Sequence, residues 1–219
     1  MLKAVIFDMD GVLADSQPLH FEADMRVLAK HGVTVSQEEM VHYAGTSNLF
    51  RFGLFRDKYK LDAPLEELVD EREELMAEII AKSSLAAVPG TEKLIKGIRN
   101  RNYPTALASS SSVKVIEAEL KKIGLYDYFD LVFSGDGMKR GKPFPDIFIQ
   151  TAEKLGIAPA DCLVFEDSHA GVVAAKAAGM KCVGFVNPTS GEQDLTDADM
   201  IIDDFRGIMA AMLPRIWEE

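Results

Sequence analysis

Residues 5–16, "VIFDMDGVLADS", decide how the rest of the chain is read. A continuous apolar run is what a strand covered on both faces requires. This one ends on two aspartates, Asp8 and Asp10, separated by one residue and followed by Gly11. In an extended chain, residues two apart project to the same side. Glycine then lets the backbone turn sharply. A buried strand ending on paired carboxylates is either a solvated, capped turn or an anionic site that holds a metal and attacks an electrophile.

The pattern on either side of this stretch chooses the architecture. From Pro18 to Lys30 the apolar spacing is helical, with Leu19, Ala23, Val27 and Leu28 on one face and Gly32 as the stop. Residues 36–42 and 65–82 are also helical, and the spacing of Phe50, Phe52, Phe55 and Tyr59 between them fits a helix with an aromatic packing face. After "AAVPG" (residues 86–90) strands and helices alternate. Helices are predicted over 91–101, 113–123, 146–155, 170–178 and near 208–217, with strands in "YPTALASSSS", "DLVFS", "CLVFED" and "CVGFV". Such alternation predicts a Rossmann-like α/β core, a doubly wound parallel sheet with covering helices. The helical stretch after the first strand reads as an inserted all-helical cap domain. The expected division is a catalytic core of residues 1–14 and 86–219 and a helical cap of residues 15–85, joined by two linkers near 14–17 and 83–88.

Composition excludes several classes. The formal net charge of −11 argues against a nucleic-acid partner, because phosphate neutralisation needs clustered Lys and Arg. No apolar run approaches the roughly 20 residues that span a bilayer. The start "MLKAVIFD" leads straight into strand-like sequence without a signal-peptide pattern, and Cys162 and Cys182 lie in apolar runs as expected of buried, reduced thiols. A cytoplasmic protein with no membrane partner is expected, with a monomer as the default.

In open parallel sheets the ligand crevice lies beyond the carboxyl ends of the strands. The predicted strand ends place Asp8 and Asp10, the serines 109–112, Lys142 beyond Ser134, and Glu166 with Asp167 on one rim. Carboxylates so crowded either take up protons or bind a cation. A hard divalent ion, Mg²⁺, suits an all-oxygen donor set. A carboxylate approaching a phosphate is repelled by about 4 kcal/mol per charge pair at 4 Å and an effective dielectric of 20. Attack therefore needs cations, and Lys142 is the second candidate. Ser109, Ser110 and nearby backbone N–H groups at a strand-to-helix turn can hold phosphate oxygens. One aspartate can then act as a covalent nucleophile and the other, if partly protonated, as general acid and base. Spacing does not say which is which.

The segments "DMDGVLADS", "ALASSSS", "GKPFPDIF" and "FEDSHAG", in this order, resemble the four signature motifs of the haloacid dehalogenase-like hydrolases, across the whole chain. The resemblance implies Asp8 as nucleophile and metal ligand, and Asp10 as acid/base with its backbone carbonyl on the metal. It implies Ser109 and Lys142 as phosphate binders, and Asp167 with Glu166 as the rest of the Mg²⁺ site. A helical cap directly after the first motif is similar to the branch that holds β-phosphoglucomutase and sugar-phosphate phosphatases. In that branch the counterpart of His20 points toward the catalytic site, and the loop "GTSN" (Gly45, Thr46, Ser47, Asn48) resembles the cap's substrate-specificity loop.

Two positions depart from the mutase pattern: Asn48 stands where the mutases carry an arginine, and Ser112 where they carry a lysine. Both cations grip the distal phosphate of a bisphosphorylated intermediate, and Arg51, Arg56 and Arg72 are expected to be surface charges rather than substitutes. The expected activity is Mg²⁺-dependent hydrolysis of a small phosphorylated metabolite, a sugar phosphate foremost, through an aspartyl-phosphate. A β-phosphoglucomutase-type mutase is the alternative. A haloacid dehalogenase has no use for Asp10 or Mg²⁺, and a non-catalytic protein on this fold would be expected to have lost Asp8, Asp10 or Lys142.

Overall fold

In a computed structural model, which describes residues 1–218, six parallel strands form one sheet in the order β3-β2-β1-β4-β5-β6. They are β1 (Ala4–Phe7), β2 (Thr105–Ser109), β3 (Leu131–Ser134), β4 (Cys162–Glu166), β5 (Lys181–Phe185) and β6 (Met200–Ile202). The chain leaves β1 toward β2 and β3 and later returns to β4 on the other side. The order therefore reverses beside β1, and a crevice opens there at the carboxyl ends.

The predicted double winding follows from alternation along each strand. Val5, Phe7, Leu107, Leu163 and Phe165 face one layer, packed on α5 (Thr91–Arg99) and α6 (Val113–Ile123). Ala4, Ile6, Ala106, Ala108 and Val164 face the other, packed on α7 (Asp146–Leu155) and α8 (His169–Ala177). Phe7 and Phe165 stack across neighbouring strands with centroids 4.9 Å apart. The edge strand β6 was not expected, because three residues give too short a pattern to separate from a loop. The last predicted helix is shorter than expected, with α9 limited to Leu213–Glu218.

Between β1 and α5 lie four helices: α1 (Gln17–Lys30), α2 (Gln37–Val41), α3 (Asn48–Tyr59) and α4 (Leu65–Lys82). They bury a cluster of their own around Phe21, Leu28, Met40, Phe52, Phe55 and Leu68. A second cluster, of Ala23, Met76, Ile79 and Ile80 with Val115, seats α1 and α4 on α6. Of the aromatic positions expected to pack, Phe52 and Phe55 are buried and Tyr59 packs against them, but Phe50 is 49% exposed. The helix turns Phe50 outward because it sits two residues from Phe52, not three or four.

Candidate functional site

Parallel registers bring the strand ends together. Phe7 pairs with Leu107 and with Phe165, so Asp8 follows the last rung between β2 and β4. Asp8 N donates to Phe165 O at 2.9 Å, which fixes the first residue beyond the strand. The chain then turns through Gly11, at φ +85°, where a Cβ would overlap the Asp167 carboxylate.

Asp8, Glu166 and Asp167 are all buried, and each places a carboxylate oxygen within 4.8 Å of the others. Lys142, fully enclosed, donates to Asp8 Oδ1 and, at 2.6 Å, to Glu166 Oε1. Glu166 Oε2 accepts from Asp167 N at 2.9 Å, Ser168 N at 3.0 Å and Ser168 Oγ at 3.0 Å. Three donors thus crowd Oε2, whereas Lys142 is the one donor on Oε1, which keeps a lone pair. Asp167 differs: Ser190 Oγ donates to its Oδ2, but Oδ1 is buried without a partner. Burial drives the Asp8 carboxyl well above the usual range against the pull of Lys142, with Glu166 and Asp10 adding to the rise. Asp167 is likewise raised, by burial and then by the charges of Glu166 and Asp8. Fully ionised, three carboxylates and one ammonium leave a charge of −2, the complement of one divalent cation. The donors are all oxygen, which suits a hard ion.

Asp10 has a different environment. Its Oδ1 accepts from Ser16 Oγ at 2.6 Å, and its Oδ2 from Ser111 Oγ at 3.0 Å and Ser109 Oγ at 3.4 Å. His20 Nε2 lies 2.7 Å from Oδ1. Burial alone would raise its pKa, but the charge and contact of His20, with Ser16 and Ser111, hold it well below the carboxylate range. Asp10 is thus an ionised acceptor. On the far side of the imidazole Arg72 Nη2 meets Nδ1. Burial would lower the His20 pKa, but the charge of Asp10 outweighs burial and the opposing charge of Arg72 and lifts it to about 9.

The other expected residues fall around the same space. Asp8, Asp10, His20, Gly45, Thr46, Asn48, Ser110 and Ser111 line one cavity of about 30 Å³. Ser109 is fully buried behind it, its hydroxyl between Ser111 N and Asp10. Ser110 Oγ donates to Gly45 O at 2.9 Å and ties β2's serine turn to the helical insertion.

Arg51 and Arg72 are not surface charges. Both are buried, and Asp24 lies between them, 2.6 Å from Arg51 Nε and 3.1 Å from Arg72 Nε. Arg56 does lie at the surface, beside Asp57. Sequence reasoning also passed over Glu119 of α6, whose Oε1 stands 3.3 Å from His20 Nε2. Burial, and then the charge of Asp10, push its carboxyl up to about 7. Its signal was available: Glu119 falls on the apolar face set by Val115, Ile116 and Leu120.

Comparison with known proteins shows the family. The sequence profile of the haloacid dehalogenase-like hydrolases matches residues 5–185. A phosphorylated carbohydrates phosphatase of Thermotoga maritima is 30% identical over 205 residues, covering 91% of this chain and 93% of that protein. A β-phosphoglucomutase of Bacillus subtilis is 30% identical over 225 residues, covering 100% and 96%. The solved structure of CbbY from Rhodobacter sphaeroides in complex with phosphate superposes with a TM-score of 0.86 at 27% identity, covering 94% of this chain and 96% of that one. With the strand-end carboxylates, the buried lysine and the serine turn on one rim, and the profile spanning most of the length, the chain belongs to the haloacid dehalogenase-like hydrolases.

Proposed function

We propose that this chain is a Mg²⁺-dependent phosphomonoester hydrolase acting on a small phosphorylated metabolite, a sugar or polyol phosphate, through an aspartyl-phosphate on Asp8. The observation that carries the proposal is the buried lysine bridging Asp8 and Glu166 beside the unpartnered oxygen of Asp167. Asp8, Asp167 and the backbone carbonyl of Asp10 would hold the ion, with Glu166 beside them bracing Lys142. Bound there, a divalent ion supplies charge neutralisation at the phosphoryl oxygens.

The chain's own groups then divide the work. Asp8 attacks phosphorus and the bond to the ester oxygen breaks. Lys142 offsets the charge on the phosphoryl group, and the N-terminus of α6 with Ser109 and Ser110 offers further donors. The leaving alkoxide takes a proton from Asp10. Asp10 is ionised in the free site and takes up this proton from solvent as the arriving phosphate dianion raises its pKa. In the second half Asp10 takes a proton from water, the hydroxide attacks phosphorus, and Asp8 is released with inorganic phosphate. His20 holds Asp10 in place, its Nε2 2.7 Å from Oδ1. Helices α1–α4 act as the cap, closing over residues 8–10 and choosing the substrate through Gly45, Thr46 and Asn48.

The similarity to β-phosphoglucomutase supports a mutase as the second reading. Asn48 and Ser112 weigh against it, because both are hydrogen-bonded to the Glu73 carboxylate, where a mutase would present cations. Turnover of a phosphoester panel with and without Mg²⁺ tests the hydrolase reading. Asp8→Asn is expected to abolish turnover, and surviving activity in that variant would rule out the covalent route.

A further inference from the structure

The cavity wall formed by Gly45, Thr46 and Asn48 is backed by Glu73 of α4. Asn48 Nδ2 donates to Glu73 Oε1 at 2.6 Å, and Ser112 Oγ, the N-cap of α6, donates to Oε2. One carboxylate thus joins the specificity loop to the turn that follows the serines. Its side chain is 19% exposed and stands directly behind the lining residue Asn48.

The nearby cations are committed elsewhere. Arg51 is the one permanent cation among the described residues lining the cavity. It donates to Asp24 through Nε at 2.6 Å, to Thr46 O at 2.8 Å and to Asn48 Oδ1 at 2.7 Å. Arg72 is shared between Asp24, Glu73 and His20. Two guanidiniums therefore face two carboxylates, Asp24 and Glu73, with no positive surplus. Asp136, after β3, adds to the negative side, its carboxyl raised by partial burial and then by the charge of Glu73.

We infer that Glu73 is a specificity-determining residue: it selects against substrates with a second anionic group at the end remote from the reacting phosphate, and admits neutral, hydroxyl-bearing ends. The inference rests on the phosphomonoesterase reading and names its substrate class. A distal phosphate or carboxylate would lie against a carboxylate whose two hydrogen-bond donors, Asn48 and Ser112, are already directed at it. Like charges so placed are strongly disfavoured. A sugar or polyol hydroxyl can instead donate to Asn48 Oδ1, Thr46 or the Glu73 oxygens.

Binding in the Asp8→Asn background separates this from catalysis. Calorimetry with Mg²⁺ present would compare a hexose monophosphate with the matching hexose bisphosphate, with and without Glu73→Gln. The bisphosphate is expected to bind at least about tenfold more weakly than the monophosphate, and Glu73→Gln to close that ratio by about tenfold. Ser112→Lys, which sets an ammonium beside Glu73, is expected to shift the ratio the same way and serves if the glutamine variant does not fold. An unchanged ratio in a folded variant, or equal affinities before mutation, overturns the inference. The hydrolase reading fails by a different result, the absence of phosphomonoester turnover in the unmutated protein.

Discussion

Lys142 Nζ lies 2.6 Å from Glu166 Oε1, and neither side chain reaches solvent. Burial alone would lower the lysine's pKa, but the charges of Asp8 and Glu166 raise it, so the ammonium is a fixed part of the site. Lys142→Met keeps an apolar chain and removes the ammonium, which lies 5.1 Å from the Phe148 ring centroid. Breaking a buried pair by deleting one partner costs about 3–5 kcal/mol. Urea unfolding of the metal-free variant is expected to show a loss of about 3 kcal/mol, and turnover to fall by about 100- to 1000-fold. A methionine variant as stable and active as the parent would contradict the bridge.

Gly171 tests the same cluster from behind. A methyl group there would overlap the Glu166 carboxylate, which is held in place by Lys142 and by the start of α8. Gly171→Ala must push Glu166 aside, and overpacking of this kind costs about 1–3 kcal/mol. Displacing a group that orients metal ligands typically weakens metal binding by about 10- to 100-fold. Mg²⁺ titration of the folded variant should show that loss, and an unaltered affinity would argue that Glu166 has no part in ordering the site.

Which groups could be read from sequence follows from where they sit. Asp8, Asp10, Ser109, Lys142, Glu166 and Asp167 were legible because strands end abruptly, and a polar group that closes a buried apolar run, or follows shortly after it, marks the sheet's carboxyl rim. Arg51, Arg72 and Asp24 were not, because a charge on a helix looks the same whether it is solvated or paired. Their pairing is between residues 27 and 48 positions apart, and only the packing of α1, α3 and α4 creates it. Glu73 was hidden for the same reason, within the acidic run "DEREE" that reads as a solvated face.

Asp24 makes a pH-dependent prediction. Burial would raise its pKa, but Arg51 and Arg72 outweigh burial and lower it. A carboxylate whose folded pKa lies below its unfolded value near 3.9 adds stability that is fully present above that value. The contribution fades as pH falls through the folded pKa. Asp24→Asn leaves two buried guanidiniums without their counter-ion and is expected to cost about 3–5 kcal/mol at pH 7. Urea midpoints measured from about pH 7 down to pH 3 should therefore converge, the parent losing stability faster in acid than the variant. Parallel curves would mean that Asp24 titrates alike in both states.

The proposed hydrolysis requires the helical insertion to move for a substrate to enter. A volume of about 30 Å³ has room for one or two waters but not for a sugar phosphate. Hydrogen bonds from Ser110 to Gly45 O, at 2.9 Å, and from Gln193 to Val41 O, at 3.1 Å, hold it shut. A Cβ built on Gly141 would lie 3.3 Å from Ser47 Cβ, close to the roughly 3.5–4.5 Å spanned by a disulfide. Ser47→Cys with Gly141→Cys should therefore cross-link the insertion to the loop that carries Lys142. Cys162 should not compete, because it is buried and its thiol is pushed up to about 11 by burial and the charge of Asp161. The oxidised double variant is expected to lose at least about tenfold in kcat/KM and to regain it with dithiothreitol, while each single cysteine variant ignores the oxidant. Full activity in protein verified as cross-linked would show that substrate reaches Asp8 without the insertion opening.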